Sequence, residues 1–289
     1  MTGSSSSAAG IAPPPRARPR PRLSRTLAPA RWREYRALLE AALEYGYRVV
    51  GVEDWVAGGV AGAESPAPLL ALRHDVDQHP RSALAMARVE RELGLRSAWY
   101  FRWRTADPHL VRALRRNGGT VGFHYETLSR LALERGARTA PEVAALAPAA
   151  RRGLREEIAA FARLHGPIRS VCPHGDSRAP LARNASLMHG CDPGEFGVEF
   201  YINEAMRGRG LARWLTDRSR AEGRWADRVE PRELLSARRT PILCVVHPNN
   251  WSSGPSLWLD RALAAALPGN GSGPRPRRPL RTGSDAPPA

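Results

Sequence analysis

Lysine is absent from this chain: all 44 basic residues are arginine. The two cations differ in geometry and hydration, and few functional demands would exclude one of them entirely. A coding bias toward GC-rich codons accounts for the pattern, so arginine richness by itself argues no function. Cysteine is scarce. Cys172, Cys191 and Cys244 are the three present, and none belongs to a C-x-x-C pair. An odd number without framework spacing excludes a disulfide scaffold and a cysteine-based zinc finger. Cys172 and Cys244 sit in apolar runs and read as small buried hydrophobes. No apolar run approaches the length needed to cross a bilayer. The N-terminal stretch lacks the apolar segment of a secretory signal, and its alternating prolines would break an amphipathic targeting helix. Together these absences set the expectation of a cytoplasmic protein without a membrane partner.

What is present is enough for a full core. Hydrophobic residues make up 42% of 289 residues, which suits one large domain or two small ones. The net charge is +16, and half of it lies in the two ends. Residues 1–25 carry five Arg and no acid, and residues 268–289 carry four Arg and one Asp. The middle is therefore only mildly basic, so nucleic acid is not an expected partner. Proline, glycine and serine density predicts disordered tails over 1–27 and 268–289, with a folded domain over 28–267.

Within that domain, helix-like and strand-like segments alternate. Trp32, Tyr35, Leu38, Leu39 and Leu43 recur at three- and four-residue steps, which predicts a helix over Arg31–Tyr45. Further helices are expected over Pro80–Leu93, Pro108–Asn117, Arg151–His165, Pro231–Ala237 and Leu257–Ala266, several opened by Pro or closed by Gly. Strands are expected over Tyr47–Val52, Leu69–Asp77, Ser97–Trp103, Thr120–Glu126, Ile168–Pro173, Val198–Ile202 and Pro241–His247. No internal repeat is visible. Strand–helix–strand alternation implies parallel strands joined by crossover helices, and this many units favour an α/β barrel over an open sheet.

In such barrels chemistry gathers at the C-terminal ends of the strands. Polar residues fall there: Asp75 and Asp77 end one strand, His124 and Glu126 another, His174 follows a third, and His247 ends a fourth. Side chains two apart on a strand share a face, so Asp75 and Asp77 point together and His74 points away. Two like-facing carboxylates repel unless a cation or a proton lies between them. One carboxylate on a divalent metal and one free as a base would resolve the conflict. Each residue also has a plainer reading: helix capping for Asp77, a hydrogen-bonded core imidazole for His124, and a turn residue for His174 and His247. Glu126 stands open between site residue and structural partner. His79, His109, His165 and His189 read as structural or surface residues. Trp99, Trp225 and Trp251 offer flat faces for a sugar ring, although a core role is the plainer reading for each.

Four runs, in order and spacing, carry a resemblance: Leu72-Arg73-His74-Asp75-Val76-Asp77, Val121-Gly122-Phe123-His124-Tyr125-Glu126, Pro173-His174-Gly175, and Leu243-Cys244-Val245-Val246-His247-Pro248. They resemble the polysaccharide deacetylase (NodB-homology) superfamily, and more narrowly its branch with an H-D-V-D first motif. Leu215-Thr216-Asp217 with Gly223-Arg224-Trp225 fits the same branch. The resemblance implies a distorted (β/α) barrel over 28–267 and a divalent metal, commonly zinc, with cobalt or manganese as alternatives. It implies hydrolysis of an N- or O-acyl group, with Asp75 as catalytic base, Asp77 and His124 as metal ligands, and His247 as the acid that protonates the leaving group. The chain departs from the pattern at three places. Val76 separates the paired aspartates. Leu128 stands where a second ligand His is usual, which leaves His174 or Glu126 to complete the set, His174 being favoured because imidazole suits zinc. No arginine that would orient the base is evident near Cys172–Asp176. The expected substrate is an acylated carbohydrate or small metabolite, with Trp225 and Trp251 as candidate substrate contacts. The rival expectation, prompted by Leu128, is an inactive barrel that binds or scaffolds.

Overall fold

The computed structural model describes residues 30–58, 67–207, 210–217, 225–226 and 229–255. The expected tails, the expected helix Leu257–Ala266, and Gly223-Arg224 lie outside the described residues. Eight strands form one sheet in which every pairing is parallel: β1 Arg48–Gly51, β2 Leu69–Val76, β3 Ala98–Phe101, β4 Thr120–Tyr125, β5 Ser170–Pro173, β6 Phe200–Tyr201, β7 Arg213–Thr216 and β8 Ile242–Val246. The order across the sheet is β6-β5-β4-β3-β2-β8-β7. β2 has β8 along one edge, while its other edge takes β1 at Leu69–Leu72 and then β3 at Arg73–Val76. β6 and β7 end the path without pairing to each other among the described residues, so the barrel is curled but open.

β2 explains why the sheet must be covered on both sides. All eight of its residues are buried, as parallel strands usually are. Its even positions face outward. Leu70, Leu72 and Val76 join one core cluster with α1 (Trp32–Glu44), α3 (Ser82–Glu92), α4 (Pro108–Arg116), α5 (Thr127–Arg135) and α6 (Ala140–His165). Its odd positions face inward. Leu69 and Ala71 join a second cluster with Ala98, Tyr100, Cys172, Leu243 and Val245. Two short helices, α2 (Val52–Val56) and α7 (Ile202–Arg207), plug the inside of the curl with Trp55, Val56, Ile202 and Met206. Helix α8 (Pro231–Ser236) packs against α1 on the outside.

Local signals set most element ends. Asp107 accepts from the backbone N–H groups of His109 and Leu110, with Pro108 at the start of α4. Thr139 and Glu142 form a reciprocal capping box at the start of α6. That helix is longer than the expected Arg151–His165 and runs through Pro148, because Val143, Ala150, Leu154, Ile158 and Phe161 bury one continuous face. Gly122 on β4 faces inward, where a Cβ would overlap the Tyr100 ring and Ser170 O, so only glycine fits. The expected strand Val198–Ile202 shrinks to Phe200–Tyr201 and turns at once into α7. Helices α2 and α7 and strand β7 are too short for periodicity to reveal, and α5, as long as α4, has neither a proline nor a side-chain cap at its start; none of the four was predicted. No described helix is long and apolar enough to cross a membrane.

Candidate metal centre

The inward-facing residues at the C-terminal strand ends converge. His124 Nε2 lies 3.3 Å from Asp77 Oδ1 and 3.7 Å from Asp75 Oδ2. His174 Nε2 lies 3.6 Å from the same Asp77 oxygen, and His247 Nε2 lies 3.8 Å from Asp77 Oδ2. The alternation argument therefore places Asp75 and Asp77 together. His74 faces the other way, stacked on Trp99 with ring centroids 3.7 Å apart.

Asp75 and His247 are each held by a second charged group. Arg73, two residues before Asp75 on the same face, clamps it bidentately at 2.7 and 2.8 Å. The arginine beside Asp75 thus comes from β2 itself and not from the segment around Cys172–Asp176. Burial would raise the Asp75 carboxyl, but Arg73, then His124 and His247, outweigh it and hold it below the usual range. Burial also works against Asp77, and His124 and His174 bring it well below that range. Asp217, fully buried just past β7, holds His247 Nδ1 at 2.6 Å and also accepts from its backbone N–H at 2.9 Å. Burial would lower His247, but Asp217 outweighs it and pushes the imidazole up to about 9. Asp217 belongs to the Leu215-Thr216-Asp217 run, and nothing in its local sequence marks this role.

His174 is anchored from both sides of its backbone. Its N–H donates to Tyr125 O at 2.8 Å, and its carbonyl accepts from Asn184 Nδ2 at 2.7 Å. Asn184 Oδ1 in turn accepts from Leu128 N and Ser129 N, which ties the loop after β5 to the start of α5. No sequence signal marked Asn184. Leu128 itself is buried in the outer cluster, because α5 has begun at Thr127 and turns residue 128 toward the core.

Two expectations are corrected. Trp251 is 1% exposed and Trp225 6% exposed, and their rings pack edge-on with centroids 5.9 Å apart. The Trp251 indole N–H donates to Asp217 Oδ2 at 2.7 Å. Both rings are part of the core beneath His247 and present no open face to a sugar. Trp99 is likewise 1% exposed, on the outer side. Glu126 does not follow the alternation of β4, since the strand ends at Tyr125 and Glu126 occupies the N-cap of α5. Its carboxylate still reaches the site, 3.6 Å from His174 Nδ1.

Among the described residues, two groups bring three candidate ligand atoms within 4.8 Å of one another: Asp75–His124–Cys172 and Asp77–His124–His174. They share His124, but only one suits a cation. In the first, the Arg73 guanidinium already occupies both oxygens of Asp75, and a metal would sit against that fixed charge. Burial pushes the Cys172 thiol up, which disfavours the thiolate a metal needs. In the second, Asp77 Oδ1 is buried without a hydrogen-bond partner. His124 Nδ1 faces the Cys172 carbonyl at 3.2 Å, which leaves Nε2 for the site. One carboxylate and two imidazoles form the three-ligand set of many hydrolytic zinc sites, with a position open to water.

No family model matches the chain, and no curated protein matches it in sequence. Among solved structures, a family 4 carbohydrate esterase from Streptomyces lividans, in complex with acetate, is similar over 68% of this chain and 88% of its own. Identity is 15% and the TM-score 0.39. A likeness that distant carries no function across, and the geometry of this chain has to decide.

Proposed function

We propose that this chain is a metal-dependent hydrolase that removes an acyl group from an N- or O-acylated sugar or a related small metabolite. One observation carries the hydrolytic part of the reading. Asp77, His124 and His174 meet around an unsatisfied carboxylate oxygen, between an arginine-clamped Asp75 and an aspartate-held His247. The sugar part rests on the motif resemblance.

Asp77 Oδ1, His124 Nε2 and His174 Nε2 would hold the ion, zinc being the best match to the donors and cobalt or manganese the alternatives. A divalent ion at such a site acidifies a water and polarises an acyl carbonyl. Asp75 stays ionised beside Arg73, and each of its oxygens keeps a lone pair after accepting from the guanidinium. It is the base that takes the water proton. His247 carries its proton at neutral pH and faces the same space through Nε2, so it is the acid that protonates the departing amine or alkoxide. Asp217 fixes its ring and tautomer. Burial of Arg73, Asp75 and His124 excludes bulk water from the acid–base groups.

Acetate release from a panel of acetylated amino sugars, with and without chelator, tests the reading. Wild-type protein should hold about one metal per chain and lose activity on chelation. Asp75→Asn should keep the metal and fall by about 100-fold or more in rate, whereas His124→Ala should lose the metal. Release that ignores the chelator, or a metal-free wild type that stays metal-free with added zinc, overturns it. The binding-barrel alternative drew its support from Leu128, and the approach of His174 Nε2 to 3.6 Å from Asp77 Oδ1 weighs against it.

A further inference from the structure

A single imidazole cannot turn both ring nitrogens to one ion, and His174 has an acid on each side. Its Nε2 faces Asp77 and its Nδ1 faces Glu126 Oε2 at 3.6 Å. His174 Nδ1 is a buried atom without a hydrogen-bond partner, and Glu126 Oε2 is buried with Arg102 as its ion-pair partner. Behind Glu126 stands Arg102, from the end of β3, whose guanidinium contacts the same carboxylate and whose side chain is only 3% exposed. Glu126 belongs to neither group of converging ligand atoms.

We infer that Glu126 is a positioning residue. Fixed by Arg102, it accepts the Nδ1–H of His174, and so sets the tautomer and ring orientation that present Nε2 to the ion. The inference rests on the metal reading and adds what that reading leaves open, the means by which an imidazole from a loop becomes a ligand. Metal-binding histidines commonly donate their other ring nitrogen to a carboxylate, which fixes the ring and strengthens the ligand. His124 meets this need with the Cys172 carbonyl. His174 lies beyond β5, its Nδ1 has no hydrogen-bond partner among the described residues, and Glu126 supplies the acceptor. The device also explains why a buried arginine sits on β3 with a glutamate as its ion-pair partner. Without Arg102, a carboxylate near Asp77 and Asp75 would be repelled from the position it needs.

The test is zinc and cobalt affinity of the purified full chain, measured by competition with a chelator, together with the visible spectrum of the cobalt form. Removing such an acceptor typically costs 10- to 100-fold in metal affinity. Glu126→Gln keeps a neutral acceptor for both neighbours and should lie between wild type and Glu126→Ala, with metal stoichiometry still near one per chain and a shifted cobalt band. Thermal melts of the metal-free proteins separate this from unfolding, and Glu126→Gln is expected to fold even if Glu126→Ala strands Arg102. Affinity unchanged in Glu126→Gln and Glu126→Ala overturns the inference while the metal reading stands. A loss in Glu126→Gln as complete as in Asp77→Ala also overturns it, by making Glu126 a ligand. Wild-type protein that takes up neither metal removes the metal reading, and the inference with it.

Discussion

His74 and Asp75 are neighbours on one strand, and both are buried, yet they belong to different machines. His74 faces outward. It stacks on Trp99, and its Nε2 lies 3.0 Å from the Tyr35 hydroxyl and 2.9 Å from Glu90. Tyr35 and Ser97 each donate to Glu90 at 2.6 Å. This polar network joins α1, α3 and β2 through one imidazole nitrogen, and His74 Nδ1 is buried without a hydrogen-bond partner. Asp75 faces inward, into the group that gathers Asp77, His124, His174 and His247. Burial and residue type are alike on the two faces, and what differs is openness. The outer network leaves a single ring nitrogen, His74 Nδ1, unpaired, whereas the inner group sets a carboxylate oxygen and two imidazole nitrogens around a common point.

That contrast can be broken at its strongest joint first. Arg73→Leu leaves the Asp75 carboxylate buried without its cation, and losing one partner of a buried pair costs about 3–5 kcal/mol. Urea unfolding should show a drop of that size together with loss of hydrolysis. A drop below about 1 kcal/mol would mean that the clamp is not what holds the base.

A smaller change sharpens the separation of the faces. His74→Phe keeps the stack on Trp99 and removes the polar contact with Tyr35 and Glu90. It should cost about 1–3 kcal/mol and leave metal uptake as in wild type. If metal content fell as it does in His124→Ala, the two faces would be coupled and the division drawn here would be wrong.

The mildest effect is a slope with pH. His165 lies at the end of α6 with its ring against Phe161, the centroids 4.5 Å apart. Burial, then Arg115, lowers its pKa from the ordinary value of 6.5. The unfolded chain then binds the proton first, so stability should fall as pH drops through 6.5 and below, and recover above it. His165→Leu should flatten the pH dependence of the melting temperature in that window. An unchanged slope would place its origin elsewhere.

Much of the fold was legible because the strands end in residues that apolar periodicity does not explain. The His-Asp-Val-Asp run, His124, His174 and His247 could be assigned to one end of the sheet before any coordinates. Alternation separated His74 from Asp75 correctly. Arg73 was equally readable in principle: it is two residues from Asp75 and so on the same face, but an arginine in an arginine-only chain drew no notice. Asp217 follows a short strand that no pattern announced. Asn184 works through backbone groups brought near by folding, and nothing local marks such a residue. For Trp225 and Trp251 the sequence left a core role, the plainer reading, beside a substrate contact, and packing decided for the core.

By itself the sequence determined which residues alternate, where strands stop, and therefore which polar groups share an end and a face. Those properties follow from the two-residue repeat of a strand and from local turn chemistry. Only the tertiary structure decided which groups are partners: Arg73 on Asp75, Asp217 on His247, Glu126 beside His174, and the tryptophans beneath. Partnership depends on how the sheet curls, and curvature brings together residues far apart in the chain whose local sequence carries no record of the meeting.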